Sequence, residues 1–119
     1  MDIWKHGKYF DTWSVVHFLS GFILVAVFDW LGFGFIWTML YSVAVLLAWE
    51  AFEALVKIIE PSANVIVDIV VGLAGAAVAA CLYFYFDFPL APAHLWILSG
   101  VTIILAVWGF WDYLKKGYR

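Results

Sequence analysis

Four long apolar stretches, separated by short polar or proline-containing segments, make up most of this chain. They run roughly over residues 13–31, 33–59, 64–86 and 94–114, and each is near the length of about 20 residues that a helix needs to cross about 30 Å of hydrocarbon. A segment inside a bilayer must satisfy its own backbone hydrogen bonds, and an α-helix does so internally. The pattern therefore predicts an all-α fold, in which residues 1–119 form a single domain of four transmembrane helices.

The composition agrees with a protein whose natural solvent is lipid. Hydrophobic residues make up 67% of the chain and charged residues only 13%, which is too apolar for a soluble domain of 119 residues. The net charge of −3 shows no basic excess, so the sequence argues against a nucleic-acid partner. We expect membrane lipid to be a partner, and assembly as a homo-oligomer or within a larger membrane complex remains open.

Basic residues occur at only one end of the predicted bundle. Four alternating spans place the N-terminus, the second connection and the C-terminus on the same side of the membrane. All the basic residues belong to that side: Lys5, Lys8, Lys57, Lys115, Lys116 and Arg119. The connections on the other side carry Asp29 and Asp87 instead. The positive-inside rule therefore predicts a multi-pass protein of the inner (plasma) membrane with both termini in the cytoplasm.

Ionisable residues inside the predicted spans need a reason, because each costs about 2.5–3.5 kcal/mol on insertion scales. His17 lies in the first span, Glu50 and Glu53 lie near the end of the second, and Asp68 lies near the start of the third. Alternating helices bring these positions to the same depth, close to the cytoplasmic surface. We therefore expect one layer of titratable side chains that includes all of these residues.

Small residues mark the helix faces that pack together, since glycine and alanine let helices approach closely in lipid. Two such faces also carry the ionisable groups: Asp68, Gly72, Gly75 and Ala79 on the third span, and His17, Ser20 and Gly21 on the first. The ionisable groups should therefore point into the bundle. We predict a polar pocket formed by the first three helices, with the nearly nonpolar fourth helix as a supporting wall.

A pocket with one imidazole and three carboxylates suits a divalent metal ion such as Zn, Mn or Fe. The predicted ligands are His17, Glu50, Glu53 and Asp68. A bound metal would polarise a lipid headgroup phosphate or activate water. The ligands lack the His-x3-His or Glu-x2-His spacing of specific metal motifs, so the pattern leaves the substrate and the question of catalysis open.

A purely structural interpretation also fits these residues. Glu53 and Lys57 lie one turn apart and can form a salt bridge, and Asp68 lies near the positive end of its helix dipole. The alternative function is a non-enzymatic structural or accessory subunit, whose buried acids are protonated or hydrogen-bonded and only fix the helix packing. Ion transport fits less well, because the spans offer few polar residues beyond the middle of the membrane.

Three short motifs resemble those of known membrane protein families. They are Asp11-x5-His17-x3-Gly21, Glu50-x2-Glu53 and Asp68-x3-Gly72-x2-Gly75. Over about the first 80 residues the pattern is similar to that of VanZ-like small membrane proteins and of the YjdF-like bacterial inner-membrane proteins. The resemblance implies a multi-helix bacterial envelope protein, in one branch linked to glycopeptide-antibiotic resistance.

The chain departs from the VanZ-like pattern at three places. VanZ-like proteins usually carry Gln at the position of Glu53, Asn at that of Gly72, and an Arg shortly before that of Asp68. The Glu-x2-Glu motif is closer to the YjdF-like pattern. The missing Arg argues against an anionic ligand shared with the VanZ-like proteins.

Overall fold

The structure, a computed structural model, describes residues 3–4, 11–55 and 62–116. These ranges contain four α-helices and a π-helical segment that continues the third helix: α1 Thr12–Trp30, α2 Phe35–Leu55, α3 Ser62–Ala80, the π-helical segment Cys81–Tyr85, and α4 Pro92–Lys116. Each helix, counted with the π-helical extension, is long and apolar enough to cross a membrane. The predicted all-α bundle of four transmembrane helices is confirmed.

Local sequence sets the helix ends. The Asp11 side chain caps α1 by accepting a hydrogen bond from the Ser14 amide, and the Ser14 hydroxyl accepts one from the Asp11 amide, each over 3.2 Å. This reciprocal pair satisfies donors that the first helical turn leaves unpaired. Gly32 takes a left-handed backbone conformation, with φ of 95°, in the turn after α1. As a result α2 begins at Phe35, two residues later than predicted.

Helix α1 is the centre of the bundle and packs most closely against α3. The two helices run in the same direction and meet through glycines. A Cβ atom added at Gly21 would collide with the Gly72 carbonyl, and one added at Gly75 would collide with the Phe18 carbonyl. This contact confirms that the small-residue stripes are packing faces.

Helices α2 and α4 lie on either side of α1 and run opposite to it. At one end of the bundle, Trp30 of α1 and Trp96 of α4 have ring centroids 5.7 Å apart. At the other end, Trp4 lies between Trp13 and Trp108, at centroid distances of 5.0 and 5.7 Å. The aromatic side chains therefore gather at both ends of the bundle, where the polar interfaces of a bilayer would lie.

The outer faces of the helices are apolar and exposed. On α4, Ile97, Ile104 and Val107 keep more than 60% of their surface uncovered by the protein, as expected for residues that face lipid. Four basic residues that predict the orientation lie outside the described residues: Lys5, Lys8, Lys57 and Arg119. The predicted Glu53–Lys57 salt bridge is likewise outside the described part of the chain.

Candidate functional site

The ionisable residues of the predicted spans gather at one end of the bundle. His17 comes from α1, Glu50 and Glu53 come from α2, and Asp68 comes from α3. They face inward: His17 is 5% exposed, Glu53 7% and Asp68 0%, while the Glu50 side chain keeps 12% of its surface exposed. Three helices therefore meet around one buried cluster of acids and an imidazole, which we call the His17 cluster.

The two glutamates of α2 lie near the imidazole, and Glu50 contacts it directly. His17 Nε2 is 3.1 Å from Glu50 Oε1. One ligand atom each from His17, Glu50 and Glu53 can be chosen so that all lie within 4.8 Å of one another. This is a spacing at which a single cation can be held by one nitrogen and two carboxylate oxygens.

The other imidazole nitrogen is fixed by the backbone. His17 Nδ1 lies 2.7 Å from the carbonyl oxygen of Trp13, one helical turn earlier. A carbonyl oxygen only accepts hydrogen bonds, so Nδ1 must carry the proton. In a neutral imidazole the lone pair then lies on Nε2, which faces Glu50. A hydrogen bond of this kind orients the histidine ligands of metal sites.

The contact between His17 Nε2 and Glu50 Oε1 requires a proton or a metal cation between the two atoms. Both the Nε2 lone pair of neutral imidazole and the Oε1 atom of a carboxylate are acceptors, and two acceptors at 3.1 Å do not bind each other. A second proton on the imidazole, a proton on Glu50, or a metal cation each resolves the conflict. The geometry is therefore that of a buried ion pair, of a neutral hydrogen bond from a protonated Glu50 to the imidazole, or of a cation site.

Asp68 lies nearer the other ring nitrogen of His17 than the one that Glu50 contacts. Its Oδ1 atom is 3.9 Å from His17 Nδ1, too far for a hydrogen bond, and it accepts one from the Ser14 hydroxyl at 3.3 Å. Among the described residues, none hydrogen-bonds Asp68 Oδ2, although that atom is buried. The predicted set of four metal ligands therefore divides into His17 with Glu50 and Glu53 on one side, and Asp68 behind the imidazole.

Two partners of the cluster do not stand out in the sequence. The Trp13 carbonyl belongs to the backbone, and no side-chain pattern reveals it. Ser14 completes the capping box with Asp11 and also reaches Asp68, and its spacing of three residues from His17 places both on one helical face. The spacing between Ser14 and His17 is the feature of the sequence from which this role of Ser14 could have been predicted.

An apolar groove of about 320 Å³ runs beside the cluster. Its floor is α1 and its walls are α2 and α4, so α4 forms one wall of this groove. The lining includes His17, Ser20, Val45, Trp49, Ser99 and Thr102. The groove therefore borders the cluster at His17, while the two glutamates are not among its lining residues.

Comparison of the chain with models of protein families, with curated proteins and with solved structures finds no match. The resemblance to VanZ-like and YjdF-like proteins therefore stays a prediction that depends on short motifs. What the fold and the site define together is a class: a small bundle of four membrane-spanning helices with a buried cluster of one histidine and several carboxylates.

Proposed function

We propose that this membrane protein binds one divalent cation through His17 Nε2 and the carboxylates of Glu50 and Glu53. The observation that supports the proposal is the orientation of the imidazole. Its Nδ1 proton is used by the Trp13 carbonyl, so in the neutral ring the Nε2 lone pair points at Glu50, and a Glu53 carboxylate oxygen belongs to the same group of ligand atoms within 4.8 Å. Asp68 serves as a positioning residue in this proposal, because it lies behind the ring.

The donor set suits Zn, Mn or Fe. One imidazole and two carboxylates are a mixed nitrogen and oxygen set that these metals accept, and the two carboxylate charges balance a divalent ion. Three protein ligands also leave coordination positions for water or for a phosphate oxygen of a lipid headgroup. Such a site can polarise the phosphate or activate water, and either effect would allow the protein to catalyse a reaction.

We further infer that the protein lies in the inner (plasma) membrane, with both termini in the cytoplasm. The supporting observation is the position of all basic residues at the same end of the chain's alternating spans. The cation site then lies near the cytoplasmic surface. The resemblance to VanZ-like and YjdF-like proteins agrees with a role in the bacterial envelope.

Metal analysis of the purified protein tests the cation proposal. The full chain in lipid nanodiscs should bind Mn²⁺ or Zn²⁺ with a stoichiometry near one per chain, and Glu50→Gln should abolish binding. Asp87→Asn is a matched control, because Asp87 is an acid at the opposite end of the bundle and asparagine tolerates its left-handed φ of 51°. Equal binding by Glu50→Gln and the wild type would overturn the proposal.

A structural role is the second candidate, and a specific contact favours it. The His17–Glu50 pair joins α1 to α2, and the Ser14–Asp68 hydrogen bond joins α1 to α3. An accessory subunit would need only these links to fix its packing. If the wild type binds no divalent cation while His17→Ala and Glu50→Gln both destabilise the fold, the packing role alone explains the cluster.

A further inference from the structure

Trp4 fills a space between the first turn of α1 and the C-terminal half of α4. It is only 3% exposed. Its ring centroid lies 5.0 Å from that of Trp13 and 5.7 Å from that of Trp108, so one buried indole contacts both helices. The backbone is tied to the same turn, because the Thr12 hydroxyl donates a hydrogen bond to the Ile3 carbonyl. Side-chain and backbone contacts therefore both join residues 3–4 to the start of α1.

Gly109 of α4 leaves the room that the Trp4 ring occupies. A Cβ atom added at Gly109 would lie 2.6 Å from Trp4 Cζ3 and 2.7 Å from Trp13 Cζ2. These distances are well below the separation of about 3.5–4.0 Å at which carbon atoms pack. A larger residue at position 109 would have to displace one of the two rings. The glycine and the buried indole therefore form a specific packing contact.

The turn that Trp4 contacts is also the turn that orients His17. The first turn is a weakly held part of a helix, because its amides have no partner within the helix. Trp13 is the second residue of α1, and its carbonyl oxygen lies 2.7 Å from His17 Nδ1. A movement of this turn would move the acceptor that fixes the imidazole, and with it the nitrogen that faces Glu50. Trp4 is therefore connected to His17 through Trp13.

We propose that Trp4 is a positioning residue of the His17 cluster. Its indole holds Trp13 against α4, and the Trp13 carbonyl then keeps the imidazole in the orientation that directs Nε2 at Glu50. Helix α4 contributes no side chain to the cluster, so this contact gives it an indirect part in the geometry of the cluster. The effect on the imidazole stands without any cation, whereas an effect on cation affinity rests on the proposed function.

Solid-state NMR of the full chain in lipid bilayers, with isotope-labelled histidine, tests this orientation. The wild type should show a His17 Nδ1–H signal, identified by its loss in His17→Ala, whose proton exchanges slowly with water because it is bonded to the Trp13 carbonyl. Trp4→Ala should speed this exchange by at least about tenfold, since the first turn then opens more often. Trp4→Phe keeps an aromatic ring in the space and should restore most of the protection.

Gly109→Ala tests the same contact from α4 without removing a side chain. The added methyl group should displace the Trp4 or the Trp13 ring and speed the exchange, although alanine favours a helix more than glycine does. Gly100→Ala is the matched control on the same helix and should behave as the wild type, because its Cβ meets nothing within 4 Å. Leu95→Ala controls for a general loss of stability, because it removes a side chain 5% exposed from the core at the other end of the bundle.

An unchanged Nδ1–H signal in Trp4→Ala and Gly109→Ala would overturn the proposal, and so would an equal change in Leu95→Ala. Thermal unfolding identifies a variant that does not fold, and Gly109→Ala supplies the test if Trp4→Ala is one. Titration with Mn²⁺ separates this inference from the proposed function. Where the wild type binds Mn²⁺, Trp4→Ala should weaken binding by about 10–100-fold, as loss of a residue that orients a ligand does. A changed His17 signal in a protein that binds no Mn²⁺ would reject the cation site and support the role of Trp4.

Discussion

His17 Nε2 and Glu50 Oε1 meet at 3.1 Å inside the membrane-spanning part of the bundle and join α1 to α2. Both side chains are largely covered by protein, so solvent does little to weaken the contact. The imidazole is held from its other side by the Trp13 carbonyl. The pair is therefore a fixed arrangement of two titratable groups.

A double-mutant cycle should detect this pair. His17→Ala and Glu50→Ala are each expected to lower the free energy of unfolding, because each leaves a buried polar partner unpaired. The double variant should lose less than the sum, with a coupling energy of about 0.5–3 kcal/mol. Unfolding in detergent, followed by circular dichroism, measures it. Additive losses would show that the two groups do not interact in the folded protein.

Substitutions of Asp68 should separate its hydrogen bond from its charge. Asp68→Asn keeps an oxygen that accepts from Ser14, so its stability should stay close to that of the wild type. Asp68→Ala removes the acceptor and should lower the free energy of unfolding by about 1–3 kcal/mol. Thermal unfolding of the two variants provides the comparison. An equal loss in both would indicate that the charge of Asp68, and not its hydrogen bond, stabilises α1 against α3.

The position of Asp68 also predicts an order of effects on cation binding. Glu53→Gln should abolish binding as Glu50→Gln does, because each carboxylate has an oxygen in the group of ligand atoms that includes a His17 nitrogen and lies within 4.8 Å. Asp68→Asn should weaken binding by at most about 10–100-fold, the range of residues that only support a ligand. Titration with Mn²⁺ followed by electron paramagnetic resonance ranks the variants. Complete loss in Asp68→Asn would instead make Asp68 a fourth ligand.

The pattern of apolar stretches was sufficient to predict the fold, since in lipid each stretch has a single way to satisfy its backbone. Depth along alternating helices was also sufficient to predict that His17, Glu50 and Asp68 would meet. In both cases the information is one-dimensional, because it depends only on spacing along the chain. The predicted start of α2 was two residues too early, because the left-handed conformation of Gly32 extends the turn before the helix.

Two features of the site could not be predicted from residue types. The proton position on His17 depends on the Trp13 carbonyl, which any residue at position 13 would supply. The groove depends on how far α2 and α4 stand apart across α1, and helical periodicity does not determine that distance. Both features depend on the three-dimensional packing of the helices, so residue types along the chain do not reveal them.

The close approach of α1 and α3 at Gly75 gives the most specific stability prediction. A Cβ atom at this position would collide with the backbone carbonyl of Phe18, and a backbone cannot turn aside as a side chain can. Gly75→Ala should therefore force the helices apart and lower the free energy of unfolding by about 1–3 kcal/mol.

Gly100 of α4 is the matched control, because an added Cβ there meets nothing within 4 Å. Gly100→Ala should leave stability unchanged or raise it by up to about 1 kcal/mol, the gain in helix propensity. Thermal unfolding of both variants in the same detergent measures the difference. Since Gly75 and Asp68 lie on the same face of α3, Gly75→Ala should also weaken the link between Asp68 and Ser14, and Asp68→Ala should then cost less in that background. Equal stability of Gly75→Ala and Gly100→Ala would mean that the glycine contact does not hold α1 against α3.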